Sequence, residues 1–145
     1  MTGASTSRLY GNAPKEIMEI LSNSSSTPNN HKMCVTPESF TAAGLDRFYD
    51  INAISKDDDG VAFVASMEAK NYPFWGIQFH PEKMIFDWKY PNIIHSAQNV
   101  AVGQYFTNFF VNQGLLFCSP IIIYGIIDYI LCYSKTKSAQ LLYLH

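Results

Sequence analysis

The residues of this chain whose types and spacing could do chemistry lie in one stretch, residues 71–88, N-Y-P-F-W-G-I-Q-F-H-P-E-K-M-I-F-D-W. His80 and Glu82 flank Pro81 at the end of an apolar run. A residue before proline is pushed towards extended geometry, so His80 is expected outside any helix. In extended chain, side chains two apart share a face. His80 and Glu82 are therefore expected on one side, with stiff Pro81 between them. An imidazole beside a carboxylate is the base and its orienting partner in a nucleophilic triad. The third member, a nucleophile, has to come from elsewhere.

The elements around this pair must position it. Phe74, Trp75, Ile77 and Phe79 read as a strand buried on both faces, with Gly76 a point where another backbone comes close. Residues 48–54 and 61–67 read as two earlier strands, joined by K-D-D-D-G with Asp59-Gly60 as the hairpin signal. In the second of these, Val61, Phe63, Ala65 and Met67 alternate with Ala62, Val64 and Ser66. The three strands together make an antiparallel meander. The three aspartates lack the later ligands of a calcium loop, so a solvated turn is the reading. Residues 14–21 read as a short helix, with Pro14 in its first turn and Ile17, Met18, Ile20 and Leu21 on one face. Thr36-Pro37-Glu38 reads as a cap and first helical turn, and residues 31–35 as a short strand. Ser96 caps a helix over residues 97–112, whose Val102, Tyr105, Phe106, Phe109 and Phe110 form a core stripe, with Gly114 as its stop. Residues 84–95 form a loop with Phe86, Trp88 and Tyr90, which either wall a pocket or pack beneath the loop. Residues 1–11 read as polar and loose. Residues 22–30 read as a Ser/Asn/Pro loop with one glycosylation sequon, Asn23-Ser24-Ser25.

The 145 residues suffice for one modest core. An apolar share of 48% against 15% charged residues suits a folded domain. A net charge of -2 argues against a nucleic-acid footprint. Cys34, Cys118 and Cys132 are too few and odd in number for a disulfide framework, and no zinc-ligand spacing occurs. The opening M-T-G-A-S-T-S-R has no apolar segment of a secretory signal. Residues 115–133 are nearly as apolar and long as a bilayer span. Pro120, Gly125 and Asp128 count against one, the aspartate alone costing about 2.5–3.5 kcal/mol at a span's centre. The expectation for residues 114–145 is foreign sequence from splicing or from a gene model, with a tail anchor as the second reading.

G-x-Q-F-H-P-E, residues 76–82, resembles the histidine end of the class I glutamine amidotransferase-like hydrolases, whose triad is Cys, His and Glu. The longer series is similar to the gamma-glutamyl hydrolase (folate gamma-glutamyl hydrolase) family. It comprises residues 72–83, Trp88, His95-Ser96 and the F-F-V-N of residues 109–112, and it reaches back to Ser7-Arg8-Leu9-Tyr10 and Pro14. The resemblance implies an α/β fold for residues 1–113, the C-terminal part of a three-layer sandwich with meander strands and a closing helix. A divergent hydrophobic tail, residues 114–145, follows. It implies a cysteine-type omega peptidase that cleaves gamma-linked glutamates from folylpoly-gamma-glutamates, with no metal and no cofactor. Cysteine would attack the amide carbonyl, His80 would take and return the proton, and Glu82 would orient His80. Asn30-His31-Lys32 resembles the F-H-K step of the family, which makes His31 a substrate-binding candidate. Asn30 and Met33 stand where the family has an aromatic residue and a tryptophan, and an exposed loop histidine is the other reading.

In the family the nucleophile is a glycine-flanked cysteine in an elbow upstream of this stretch. None of the three cysteines here has that setting, so the chain alone is expected to be inactive. The family implies a lysosomal or extracellular setting. Homo-oligomerisation and membrane association of the tail stay open. Two alternatives remain: a fragment of an amidotransferase glutaminase domain that passes ammonia to a partner, and a non-catalytic truncated binding protein that pairs with a full subunit.

Overall fold

A computed structural model describes residues 6–29 and 31–117. Residues 6–110 belong to one contact unit; residues 111–117 belong to a second and are described only as helix. In order, the elements are α1 (Lys15–Asn23), α2 (Pro37–Ala42), a 3-10 turn (Leu45–Arg47), β1 (Tyr49–Lys56), β2 (Ala62–Ala69), β3 (Trp75–Ile77), α3 (Lys83–Phe86) and α4 (Ala97–Phe117). The α/β class expected from the sequence is what the described residues show.

The strands form one antiparallel sheet in the order β1-β2-β3. The turn between β1 and β2 is built by Asp57, whose Oδ1 accepts from the amides of Asp59 (3.0 Å) and Val61 (2.8 Å). Gly60 supplies the positive φ, 80°, that a side chain would resist. The acidic run is thus used for turn geometry. The pairing of β1 with β2 shifts register around Asn52, a bulge that leaves Asn52 buried.

Several sequence expectations are corrected here. β2 is buried almost throughout, because both of the faces between which its residues alternate are covered. The Tyr10 hydroxyl meets Ser66 Oγ at 2.8 Å, while α2 lays Phe40, 1% exposed, against the same strand. β3 is only three residues long, and Phe74 lies outside it and is exposed, stacked on Tyr72. What comes close to Gly76 is the flexible side chain of its cross-strand neighbour Met67, not a backbone. Residues 31–35 form no strand, although the Val35 carbonyl accepts one bond from the Val64 amide (2.8 Å).

The segment read as loose is anchored. Ser7, Leu9 and Tyr10 are buried, and Leu9 and Tyr10 belong to the main core with Ile17, Phe79, Met84, Val102 and Phe106. The anchor is Glu68, whose carboxylate oxygens accept from the amides of Arg8 (3.1 Å) and Leu9 (3.2 Å). The Arg8 guanidinium donates to the carbonyls of Ala69 and Tyr72 and lies over the Trp75 ring. Burial pushes the Tyr10 phenol up to about 12; the bond to Ser66 opposes this and Tyr105 adds to it. Burial also raises the Tyr105 phenol.

Helix starts fall where the side chains cap them. Thr36 Oγ1 accepts from the Ser39 amide (3.1 Å) at the head of α2, and Ser96 Oγ accepts from the Asn99 amide (3.1 Å) at the head of α4. α4 does not stop at Gly114; it runs through Leu115 and Leu116 to Phe117. An interior glycine costs only about 1 kcal/mol against alanine, too little to end a helix that good helix formers continue. Cys118, Cys132 and the rest of residues 118–145, on which the tail readings rest, lie outside the described residues. Among those described, no helix is long and apolar enough to cross a membrane.

Candidate active site

Phe79, 5% exposed, roots the histidine loop in the core through an edge contact with Phe106 of α4, ring centroids 4.8 Å apart. One residue later the chain leaves the core. The His80 amide donates to the Pro28 carbonyl (3.1 Å), tying this point to the loop after α1. Pro81 then turns the chain, and its carbonyl lies against α4 at Gly103, where a Cβ would come within 2.6 Å.

His80 Nδ1 lies 2.9 Å from Glu82 Oε1. A carboxylate can only accept, so in the neutral imidazole Nδ1 carries the proton and Nε2 keeps the lone pair of a base. The side chains are 30% and 56% exposed. At such exposure the pair adds little stability, roughly 0–1 kcal/mol, so its value lies in fixing the ring. The two groups share a side for a different reason from the one the sequence suggested. Glu82 is not extended; at φ -71° and ψ -28° it is the residue that opens α3. Its carbonyl accepts from the amides of Ile85 (3.1 Å) and Phe86 (2.9 Å). The helical turn, not the pleat of a strand, carries the carboxylate back to the imidazole.

His31 is brought to the same place. Its ring stacks on that of His80, centroids 4.6 Å apart and planes 17° from parallel, and its Nε2 donates to the Gln78 carbonyl at 2.6 Å. The ring is exposed, yet fixed on one edge and one face. His31 and Gln78 also line a cavity of about 530 Å³, together with Lys32, Lys56, Asp57 and Asp58, so its wall carries both signs of charge. Cys34 borders that cavity and is exposed.

The loop over residues 84–95 reaches this cavity through Asn92 and Ile94 and packs into the interior through Met84 and Ile93, but its aromatics Phe86 and Trp88 do neither. Phe86 and Trp88 are about three-quarters exposed, and Trp88 lies flat on the His95 ring, centroids 3.8 Å apart and planes 11° from parallel. Sequence reasoning missed Pro28 and Gly103. The Pro28 contact is made by a backbone carbonyl, which leaves no mark in residue type. Gly103 did leave one, a glycine inside an otherwise apolar helical stripe, the signal of a close approach. Among the described residues, no group of three His, Cys, Asp or Glu side chains could hold a metal ion.

The family model for glutamine amidotransferase class-I matches residues 2–89, a span that contains His31, His80 and Glu82. The chain belongs to the class-I glutamine amidotransferase family. The curated relatives that it resembles include gamma-glutamyl hydrolases. Gamma-glutamyl hydrolase B of Dictyostelium discoideum is 34% identical over 109 residues, which cover 74% of this chain and 31% of the relative. The Homo sapiens gamma-glutamyl hydrolase is 34% identical over 110 residues, covering 74% and 34%. Gamma-glutamyl hydrolase 1 of Arabidopsis thaliana is 32% identical over 106 residues, covering 72% and 30%. The chain thus spans about a third of the length of these relatives.

Proposed function

We propose that this member of the class-I glutamine amidotransferase family corresponds to the histidine-bearing, C-terminal portion of a gamma-glutamyl hydrolase. Its substrates would be folylpoly-gamma-glutamates, in a lysosomal or extracellular setting. The observation that carries the reading is the 2.9 Å contact that orients His80 by Glu82 and leaves Nε2 as the base. A cysteine thiol gives its proton to Nε2, and the thiolate adds to the gamma-amide carbonyl. The C–N bond then breaks as the imidazolium returns that proton to the leaving amine. Water, deprotonated by the same nitrogen, releases the acyl group from sulfur. His31, stacked on His80 at the edge of the cavity, would contact the substrate.

None of the three cysteines of this chain stands in the glycine-flanked setting of the family nucleophile, Cys118 and Cys132 included, so the thiol would come from another segment. Cys34 is exposed and stands in K-M-C-V-T, without the flanking glycines of a nucleophile elbow. The chain by itself would then be inactive. The names of the relatives favour this reading over a glutaminase that feeds ammonia to a partner.

The test pairs the chain with the cysteine-bearing segment of a gamma-glutamyl hydrolase and follows glutamate release from a folylpoly-gamma-glutamate. No release is expected from the purified chain, and release is expected from the assembly. His80→Ala should lower that rate by about 10²–10⁴-fold. Release by the purified chain above a His80→Ala control would overturn the incompleteness of the site. An assembly indifferent to His80→Ala would overturn the role of His80.

A further inference from the structure

His95 lies outside the candidate site, yet it is bonded to the helix that carries Glu82. Its Nδ1 donates to the Met84 carbonyl at 2.9 Å. α3 is only four residues long, so its carbonyls lack the intrahelical donors a longer helix would supply. Met84 is fully buried, and water cannot readily replace that donor. The His95 ring is held in turn by Trp88, which covers it face to face at 3.8 Å. Its other nitrogen, Nε2, is buried and has no partner among the described residues.

An orphaned buried acceptor lowers stability, and an apolar ring of similar size would fill the space without one. The bond to Met84 is what such a ring could not make. We propose that His95, backed by Trp88, is a positioning residue. By fixing the Met84 carbonyl it sets the orientation of α3, and with it the Glu82 carboxylate that holds His80 Nδ1–H. This bond adds to the other restraints on the turn, the His80 amide on Pro28, Pro81 against Gly103 of α4 and the Met84 side chain in the core. The catalytic meaning of this arrangement rests on the proposed role of His80. The geometric claim does not.

The test reads the nitrogen-15 shifts of the His80 ring in the full chain, which report the nitrogen that carries the proton. The unmodified chain is expected to hold it on Nδ1. His95→Phe keeps a ring on Trp88 but removes the donor, and the Nδ1–H form of His80 should be lost. His95→Asn, whose side-chain amide places a donor near the position of Nδ1, should restore it. Trp88→Ala, a change at an exposed residue, should weaken it. Phe40→Leu on the far side of β2 should lower the melting temperature and leave His80 unchanged.

Retention of the Nδ1–H form in His95→Phe overturns the proposal, as does its loss in Phe40→Leu, which would show that the signal reads only global stability. If His95→Phe does not fold, Trp88→Ala decides: an unchanged His80 overturns the proposal and a weakened Nδ1–H signal supports it. Failure of hydrolysis to depend on His80 in the assembled enzyme would be a separate result, leaving the NMR outcome standing.

Discussion

Gly103 of α4 stands so close to Pro81 that a single added methyl group would lie 2.6 Å from the Pro81 carbonyl oxygen. The obstacle is backbone, flanked by Ile85 at 3.2 Å, and the backbone in question joins His80 to Glu82. Stability and site geometry are therefore linked through one position of one helix.

Gly103→Ala should cost about 1–3 kcal/mol by overpacking, even though alanine is the better helix former. Urea unfolding would show a lower midpoint with an unchanged slope. Amide shifts should concentrate at residues 80–86. A variant as stable as the parent would mean that α4 does not press on the loop.

Tyr10 predicts an alkaline limit. Its folded-state value is raised to about 12 by burial, against an ordinary 10.0. Between those values the folded chain keeps a proton that the unfolded chain has lost. Stability is therefore fully present below pH 10 and falls as pH rises towards 12, by about 2–3 kcal/mol for this group. Tyr10→Phe loses the bond to Ser66 and should be less stable at pH 8, but its stability should fall less steeply above pH 10. Tyr105, also raised by burial, leaves a residual slope of the same sign. Parallel pH profiles for the two chains would refute the assignment.

Glu68 carries the anchoring of the first described segment. Glu68→Ala strips the acceptors from the amides of Arg8 and Leu9, the latter in a wholly buried residue. The expected loss is about 1.5–3 kcal/mol, the range for hydrogen bonds to a charged group. Hydrogen exchange at the Leu9 amide should accelerate more than exchange at β2 amides. Equal acceleration at both would mean that the segment is held by packing alone.

What the sequence disclosed was local. The caps at Thr36 and Ser96 and the stripe of Val102 and Phe106 follow from side chains acting within one or two helical turns, so residue type and period reveal them. The nearness of His80 to Glu82 was legible in their spacing, although the expected pleat proved to be the first turn of α3. Leu9 and Tyr10 were misread because the local bonds, such as that from the Tyr10 amide to Ser7 Oγ, form a turn but supply no cover; the cover comes from far along the chain. Their partners, Ser66, Glu68 and Tyr105, lie 56 to 96 positions away. The stack of His31 on His80 joins two loops, and no periodicity predicts which loops meet. Gly114 failed as a stop signal because a propensity of about 1 kcal/mol yields readily to its neighbours.

The Tyr105 hydroxyl donates to the Leu9 carbonyl at 2.6 Å across 96 positions of sequence, and Phe106 meets the edge of Tyr10. On a ribosome, the early residues of this contact wait for the late ones. At about 5–20 residues per second, Leu9 and Tyr10 precede their cover by about 5–20 s. Nascent chains arrested before Tyr105 leaves the exit tunnel should be readily cut by protease near residues 7–10, and chains arrested well after it should resist. The interval is a period of stickiness during synthesis, set by the order in which the chain is made.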